Sequence, residues 1–200
     1  MRIDSPDHAG RPLGVNGRRR ERPAGSVFGP RMLYFTSDTH FADPRVLRID
    51  RRPFQSLAQH DAVLIGRWNE QVGVEDEVWH LGDFARGGRD RVEALLGALH
   101  GRKHLVIGNN DPASTTEATG WASVRHYAEL TIAGQLVILC HYPFRTWNRM
   151  GRKSIDLHGH SHGRLTPMPR QRDVGVDAND LRPVTLEELL ARKSRVPAAR

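Results

Sequence analysis

The chain has 200 residues, of which 38% are hydrophobic, so it can bury one substantial core. Its formal net charge of +7 fits an anionic substrate, although a modest basic excess does not by itself predict nucleic-acid binding. The single cysteine excludes an intramolecular disulfide and a thiolate metal cluster. Because the sequence shows neither a secretory signal nor an apolar run of membrane-spanning length, we expect a soluble, cytoplasmic protein.

Residues 1–30 differ in composition from the rest of the chain. They contain six arginines together with glycines and prolines, and they show almost no apolar periodicity. This composition predicts a flexible basic leader, with an arginine-led contact to nucleic acid or a membrane as the alternative. The folded domain is then expected to span residues 31–200, and deletion of the leader should leave folding and activity intact.

From Met32 onward, strand-like and helical stretches alternate. Apolar runs predict strands at 32–38, 76–83, 103–109, 127–132, 135–141, 154–162 and 173–179. Helices are predicted at 56–72, 89–101 and 185–193, and the first and third begin with capping boxes. The first helix is expected to bury Ala58, Ala62, Ile65, Trp68 and Val72 on one face. Strands that alternate with helices indicate an α/β domain with much parallel sheet.

Side chains that commonly bind metals follow five of these predicted strands. The carboxyl ends of strands in an open α/β sheet gather functional groups at one rim, so we expect these side chains to meet. Asp38 and His40 are two residues apart, and His160 and His162 repeat that spacing. The complete set is Asp38, His40, Asp83, Asn109, His141, His160 and His162.

The size of this set favours two metal ions that share a bridging carboxylate. Imidazole and oxygen ligands without sulfur suit Mn²⁺ first, with Fe, Zn²⁺ or Ni²⁺ as alternatives, rather than Ca²⁺. Taken singly, each residue has a structural alternative, since an aspartate after a strand often caps a helix and a strand histidine often packs in a core. The joint pattern favours the metal site, because "GHSH" has no capping reason to contain two histidines.

The order of motifs resembles the calcineurin-like metallophosphoesterase superfamily, in particular its small single-domain bacterial and phage phosphoesterases. The motifs are "SDTH", "LGDF", "GNND", "CHYPF" and "GHSH", spread over roughly residues 32–180. The resemblance implies a four-layer α/β/β/α sandwich of two mixed sheets with flanking helices. It also implies that one ion is bound by Asp38, His40 and His162, the other by Asn109, His141 and His160, and both by Asp83.

One position departs from the pattern of the superfamily. The residue after Asn109 is usually a histidine, credited with stabilising the transition state or protonating the leaving oxygen, and here it is Asn110. An amide can donate a hydrogen bond but cannot deliver a proton. Losing a positioned general acid costs about 10²–10⁴ in rate. We therefore expect a strong dependence on leaving-group acidity, with Asn110 contacting substrate and Asp83 acting with it in catalysis.

Three further residues are candidates for supporting roles. Arg145, in the basic and aromatic loop after His141, is expected to contact substrate phosphate. Asp111 is expected to order the ligand loop without binding metal, with a plain turn residue as the alternative. His158 is expected to lie behind the ligands or simply to pack in the core.

Together these features predict a phosphohydrolase that cleaves phosphoester bonds with metal-activated hydroxide. Phosphodiesters of the nucleotide or cyclic nucleotide type are the favoured substrates, because they need less proton assistance. The alternatives are a phosphomonoesterase, a nuclease, and a non-catalytic metal-binding scaffold. The expected partner is a small phosphorylated substrate; nucleic acid is not favoured, a membrane is not expected, and the oligomeric state stays open.

Overall fold

The computed structural model describes residues 31–48, 50–166 and 168–191, so the predicted leader at 1–30 lies outside the described residues. The strands of this described part are β1 (Leu33–Thr36), β2 (Glu77–His80), β3 (Arg102–Val106), β4 (Trp121–Arg125), β5 (Ala128–Ile132), β6 (Gln135–Leu139), β7 (Ile155–His158), β8 (Gln171–Asp173) and β9 (Val184–Thr185). Its α-helices are α1 (Arg45–Arg48), α2 (Leu57–Gln71), α3 (Arg89–Ala98), α4 (Ala113–Thr116) and α5 (Leu186–Ala191).

The strands form two mixed sheets. The first has the order β4-β3-β2-β1-β9, in which β1 to β4 run parallel and β9 pairs antiparallel with β1. The second has the order β5-β6-β7-β8, in which β5 and β6 form an antiparallel hairpin and the other pairs are parallel. This architecture confirms the predicted α/β fold class of two mixed sheets with helices.

Apolar side chains pack on both faces of the first sheet. Phe35 and Val106 point toward the second sheet and pack with its Val137 and Leu157 in one buried cluster. On the opposite face, helices α2 and α3 pack through a second cluster, which includes Trp68. Burial of these apolar surfaces is what holds the helices on one sheet and the two sheets together.

The outer face of the second sheet is covered by the loop over residues 142–154, which contains a turn of 3-10 helix at Met150–Arg152. Phe144 N donates a hydrogen bond to the Asp156 carboxylate of β7 at 3.3 Å. Gln171 Nε2 of β8 donates to Phe144 O at 2.6 Å. These bonds direct the loop away from the carboxyl ends of the strands.

Helix α2 lies where it was predicted, and of its predicted buried face Trp68 and Val72 are buried and Ile65 is partly buried. Ala58 and Ala62 are exposed, and the buried residues are His60, Leu64 and Trp68. A polar side chain is tolerated on the buried face because both ring nitrogens of His60 have partners. Nε2 lies 2.8 Å from an arginine Nη1, and Nδ1 lies 2.8 Å from a carboxylate of the next residue.

Two other local predictions can be compared with the structure. The capping box before α5 is confirmed, since Glu188 N donates to Thr185 Oγ1 at 3.2 Å and Thr185 N donates to Glu188 Oε2 at 2.9 Å. The strand predicted at 173–179 is wrong, because β8 ends at Asp173 and Val176–Ala178 forms a 3-10 turn. Among the described residues, no helix combines the length and the apolar character needed to cross a membrane.

Candidate metal centre

The seven predicted ligands lie on loops that follow the carboxyl ends of β1, β2, β3, β6 and β7. Backbone hydrogen bonds hold these loops side by side: Asp38 N donates to Gly82 O at 2.9 Å, and Gly159 N donates to His141 O at 3.0 Å. Because strands β1 to β3 are parallel neighbours, and so are β6 and β7, their loops open on one rim. The predicted ligands at this rim are Asp38, His40, Asp83, Asn109, His141, His160 and His162.

Five of these ligands adopt a left-handed backbone conformation. Asp38, His40, Asp83, His160 and His162 have φ values between +48° and +65°. Such a conformation costs a residue other than glycine about 1–3 kcal/mol and persists only where its surroundings impose it. The concentration of this strain at one rim is typical of a functional site rather than of ordinary turns.

Two glycines allow the loops to approach the carboxylates closely. A Cβ on Gly108 would collide with Asp83 Oδ1, and a Cβ on Gly159 would lie 2.6 Å from Asp38 Oδ2. No side chain fits at either position without moving a carboxylate. The glycines of "IGNND" and "HGHSH" are therefore required by packing around Asp83 and Asp38.

Asp83 lies between two histidines, with one carboxylate oxygen facing each. Its Oδ2 lies 3.6 Å from His40 Nε2, and its Oδ1 lies 3.6 Å from His141 Nε2. These separations are too long for hydrogen bonds. Two ligand atoms that are each about 2.0–2.2 Å from one ion lie roughly 3–3.5 Å apart. The spacing therefore fits two ions that share Asp83.

The other predicted ligands lie in two groups on opposite sides of Asp83. On one side, the ligand atoms of Asp38, His40 and His162 all lie within 4.8 Å of one another. On the other side, Asn109 Oδ1 lies 2.9 Å from the His141 Nε2 atom. The rings of His141 and His160 have centroids 5.1 Å apart.

The environment of His141 shows that a cation fits this position. Its Nδ1 lies 2.7 Å from Leu81 O, which can only accept, so Nδ1 carries the proton of the ring. Burial lowers the pKa of His141 and favours the neutral ring. Nε2 then presents a lone pair to the Asn109 amide oxygen, and a cation bound by both atoms would stabilise these two facing acceptors.

The group formed by Asp38, His40 and His162 would also be stabilised by a bound cation. Burial raises the pKa of Asp38, an effect that His162 and the Ser37 hydroxyl oppose. Burial likewise lowers the pKa of His40, which favours its neutral, metal-binding form. A bound divalent ion would hold the Asp38 carboxylate in its ionised state.

Behind this group lies a buried arginine that the sequence analysis did not identify. The Arg52 side chain is 1% exposed, and its Nε and Nη2 donate to the Asp177 carboxylate at 2.9 and 2.7 Å. It also donates to the backbone carbonyls of Asp38 and Thr39. Asp177 Oδ2 in turn lies 2.7 Å from His162 Nδ1, which leaves Nε2 of that ring for a metal.

Asp111 connects the loop after β2 to the loop after β3 through hydrogen bonds. Its carboxylate accepts hydrogen bonds from the backbone N–H groups of Asp83, Phe84 and Gly108, each at 2.8 Å. Burial raises the pKa of Asp111, and these three hydrogen bonds oppose that effect. This placement agrees with the supporting role that the sequence favours. His158 is buried, and its Nδ1 lies 2.9 Å from Gly159 O, in the loop that carries two of the ligands.

The two predicted substrate contacts differ in their positions. Asn110 lies on the rim, where its backbone N donates to Asp83 Oδ1 at 2.8 Å and its Nδ2 donates to Asp83 Oδ2 at 2.7 Å. Arg145 is exposed and makes no hydrogen bond or ion pair with the described residues. Its loop turns onto the outer face of the second sheet, and a contact between Arg145 and substrate stays a prediction.

Comparisons with known proteins agree with this fold and site. The calcineurin-like phosphoesterase superfamily domain matches residues 32–174. The Gene 66 protein of Mycobacterium phage D29 is 35% identical over 185 residues, covering 76% of this chain and 92% of that protein. The Gene 66 protein of Mycobacterium phage L5 is 29% identical over 182 residues, covering 72% and 86%. A solved structure of a protein of unknown function from Aquifex aeolicus has a TM-score of 0.66 at 24% identity, covering 79% of this chain and 97% of that one.

The chain therefore belongs to the calcineurin-like phosphoesterase superfamily. Its class is that of a small, metal-dependent phosphoester hydrolase with relatives in phages. This membership confirms the resemblance that the five motifs indicated. The Aquifex structure supports the fold alone, because its identity to this chain is low.

Proposed function

We propose that the protein hydrolyses phosphoester bonds at a centre of two divalent transition-metal ions, with Mn²⁺ the favoured metal. The observation that carries this proposal is the position of Asp83, whose two oxygens each lie 3.6 Å from a different histidine Nε2. A carboxylate in that position is suited to bridge two ions. We place this activity in residues 31–200.

The donor atoms divide into two sets around Asp83. One set would hold an ion through Asp38, His40 and His162, and the other through Asn109, His141 and His160. When bound, such ions supply a Lewis acid that lowers the pKa of water and offsets charge on a phosphoryl group. The alternative of a non-catalytic scaffold is disfavoured, because all seven donor side chains are present at one rim.

The protein's own groups orient these donors before any substrate binds. Leu81 O fixes the ring of His141 with Nε2 directed at the rim, and Asp177 does the same for His162. Asn110 donates two hydrogen bonds to Asp83 and so fixes the direction of both carboxylate oxygens. Because the donors are already oriented, no further free energy of reorganisation is needed during the reaction.

A preference for phosphodiesters follows from the position of Asn110. Its backbone N–H and one N–H of its side chain are engaged with Asp83, and an amide cannot transfer a proton to a leaving oxygen. Substrates whose leaving oxygen tolerates negative charge are therefore favoured, and nucleotide or cyclic nucleotide diesters are the proposed class. Asn110 and Arg145 are the proposed substrate contacts. A cytoplasmic location suits the buried, unpaired Cys140.

A comparison of two aryl phosphates tests the proposed function. The full chain, loaded with Mn²⁺, should hydrolyse bis(4-nitrophenyl) phosphate with a kcat/KM at least ~10-fold above that for 4-nitrophenyl phosphate. Chelation of the metal should abolish both activities. A higher kcat/KM for the monoester would show a phosphomonoesterase instead. Cleavage of single-stranded DNA at rates that exceed both would show a nuclease.

A further inference from the structure

A basic group lies beside the metal rim, around the Asp43 carboxylate, whose Oδ2 lies 3.9 Å from His40 Nδ1. Asp43 is 1% exposed, and it accepts hydrogen bonds from Arg45 Nε and Nη2 at 2.6 to 3.0 Å. Arg86 Nε lies 3.4 Å from the same carboxylate. The buried carboxylate therefore fixes the direction of Arg45, because a fork of two N–H donors on one acceptor leaves the guanidinium plane little freedom.

Arg45 reaches the rim at Asn110. Its Nη2 donates to Asn110 Oδ1 at 3.3 Å, and Asn110 Nδ2 donates to Asp83 Oδ2 at 2.7 Å. A guanidinium is thus two hydrogen bonds away from the carboxylate that lies between the two groups of ligands. The Arg45 side chain is 38% exposed, and its Nη1 makes no hydrogen bond with the described residues, so it has donors available to a substrate.

Arg45 faces the oxygen of the Asn110 side chain. The backbone N–H of Asn110 and one N–H of its Nδ2 are engaged with Asp83, and its Oδ1 accepts from Arg45. The guanidinium therefore places charged donors at this position on the rim. An arginine cannot deliver a proton, but its charged N–H groups make strong hydrogen bonds to oxygen atoms that gain negative charge.

We propose that Arg45 is a catalytic residue that donates hydrogen bonds to the leaving oxygen of the phosphoester as its bond to phosphorus breaks. In this hydrolysis a water oxygen forms a bond to phosphorus, and the bond from phosphorus to the leaving oxygen breaks. The leaving oxygen keeps the electron pair, a proton of the attacking water passes to solvent, and the leaving oxygen takes its proton from solvent after departure. The inference rests on the proposed phosphoesterase function, and it adds the group that stabilises the leaving oxygen.

The chain offers a matched control in Arg86. This arginine pairs with the same buried Asp43, and its side chain is 52% exposed, but it makes no hydrogen bond to Asn110 among the described residues. Arg86→Ala removes the same charge from the same carboxylate as Arg45→Ala does. Effects that come only from the loss of one positive charge beside Asp43 should therefore be shared by both variants.

The test compares diesters whose leaving groups differ in acidity, with the Mn²⁺-loaded full chain. Arg45→Ala should lower kcat/KM about 10-fold for a nitrophenyl leaving group and about 10²–10³-fold for an alkyl leaving group. Arg45→Lys keeps the charge but loses the paired N–H donors of the guanidinium. Its kcat/KM should lie between those of wild type and Arg45→Ala. The kcat/KM of Arg86→Ala should stay within about 3-fold of the wild-type value for both substrates.

Two measurements that do not depend on turnover accompany this series. Elemental analysis of purified Arg45→Ala should give the same two equivalents of Mn²⁺ as wild type, and its urea unfolding midpoint should match that of Arg86→Ala. An equal loss for both leaving groups, or no loss, would overturn the role of Arg45. Loss of a metal equivalent in Arg45→Ala would show that Arg45 is a structural residue and would also overturn its proposed catalytic role. A wild-type chain that holds two metals but cleaves no phosphoester would instead contradict the proposed function.

Discussion

The two groups of predicted ligands in the proposed metal centre differ in their exposure to solvent. Asp38 and His40 are buried, and His162 is held from behind by the Asp177 carboxylate. Asn109 and His160, on the other side of Asp83, are exposed side chains. We call these the closed half and the open half of the centre.

This difference assigns separate tasks to the two halves. Arg52 and Asp177 orient the donors of the closed half before an ion arrives, and preorganised donors bind metal more tightly. We expect solvent and substrate to reach the centre at the open half, because two of its three donors, Asn109 and His160, are exposed, whereas His141 is buried. We therefore expect one ion to bind tightly and early, and the second to bind more weakly.

Removal of the buried arginine should have the largest effect on this contrast. Arg52→Ala leaves Asp177 and two backbone carbonyls of the closed half without their donor, and should lower the free energy of unfolding by about 3–5 kcal/mol. The tighter metal equivalent should be lost as well. Urea unfolding and elemental analysis measure these two quantities.

An exposed ion pair provides the control for this variant. Arg89 and Glu117 are joined at 2.7 Å, with side chains 50% and 63% exposed. Arg89→Ala should change the free energy of unfolding by less than about 1 kcal/mol. If Arg52→Ala were as mild as Arg89→Ala, the closed half would not depend on its buried guanidinium.

A smaller effect is expected from Asp177→Asn, which keeps the size of the side chain but removes its charge. His162 then loses the carboxylate that orients its ring and raises its basicity, so the tighter ion should bind about 10–100-fold more weakly. Titration of the metal-free variant with Mn²⁺ by calorimetry measures this constant. If only the second, more weakly bound ion lost affinity, the prediction that Asp177 supports the closed half would be contradicted.

The smallest effect is expected in the open half. The Tyr142 side chain is 46% exposed, and its ring centroid lies 4.9 Å from that of His160, so it forms a wall at the point where substrate would enter. Tyr142→Ala should raise KM roughly 2–10-fold, or about 0.5–1.5 kcal/mol, with kcat retained. Tyr127, which is 40% exposed and contacts Phe144, gives the control, and its replacement by Ala should leave KM unchanged.

The sequence indicated the candidate ligands because each follows an apolar run, and an abrupt change from buried strand to polar loop is a local signal. Asp111, which adjoins the ligands in the sequence, was predicted to support them, but Arg52 gave no such signal. Arg52 and Asp177 are 125 positions apart, so neither spacing nor periodicity connects them. Asp43 and Arg45 read as ordinary charged surface residues until the fold places them beside Asn110.

The prediction of secondary structure and burial was also limited where tertiary contacts decide the outcome. Strand β4 was not predicted, since it pairs only with β3 in its sheet and its side chains are exposed or partly buried, which gives no clear alternation. The buried face of α2 was predicted only in part, because a pattern of apolar residues does not anticipate a buried His60 with two polar partners. Tertiary partners decide such positions.

The central claim is that one carboxylate, Asp83, joins two metal ions held by the closed and open halves. Anomalous diffraction from crystals grown with Mn²⁺ tests it most directly. We expect two manganese peaks roughly 3.5–4 Å apart on either side of Asp83, the stronger one beside His40 and His162. A single peak, or peaks that Asp83 does not touch, would contradict the claim.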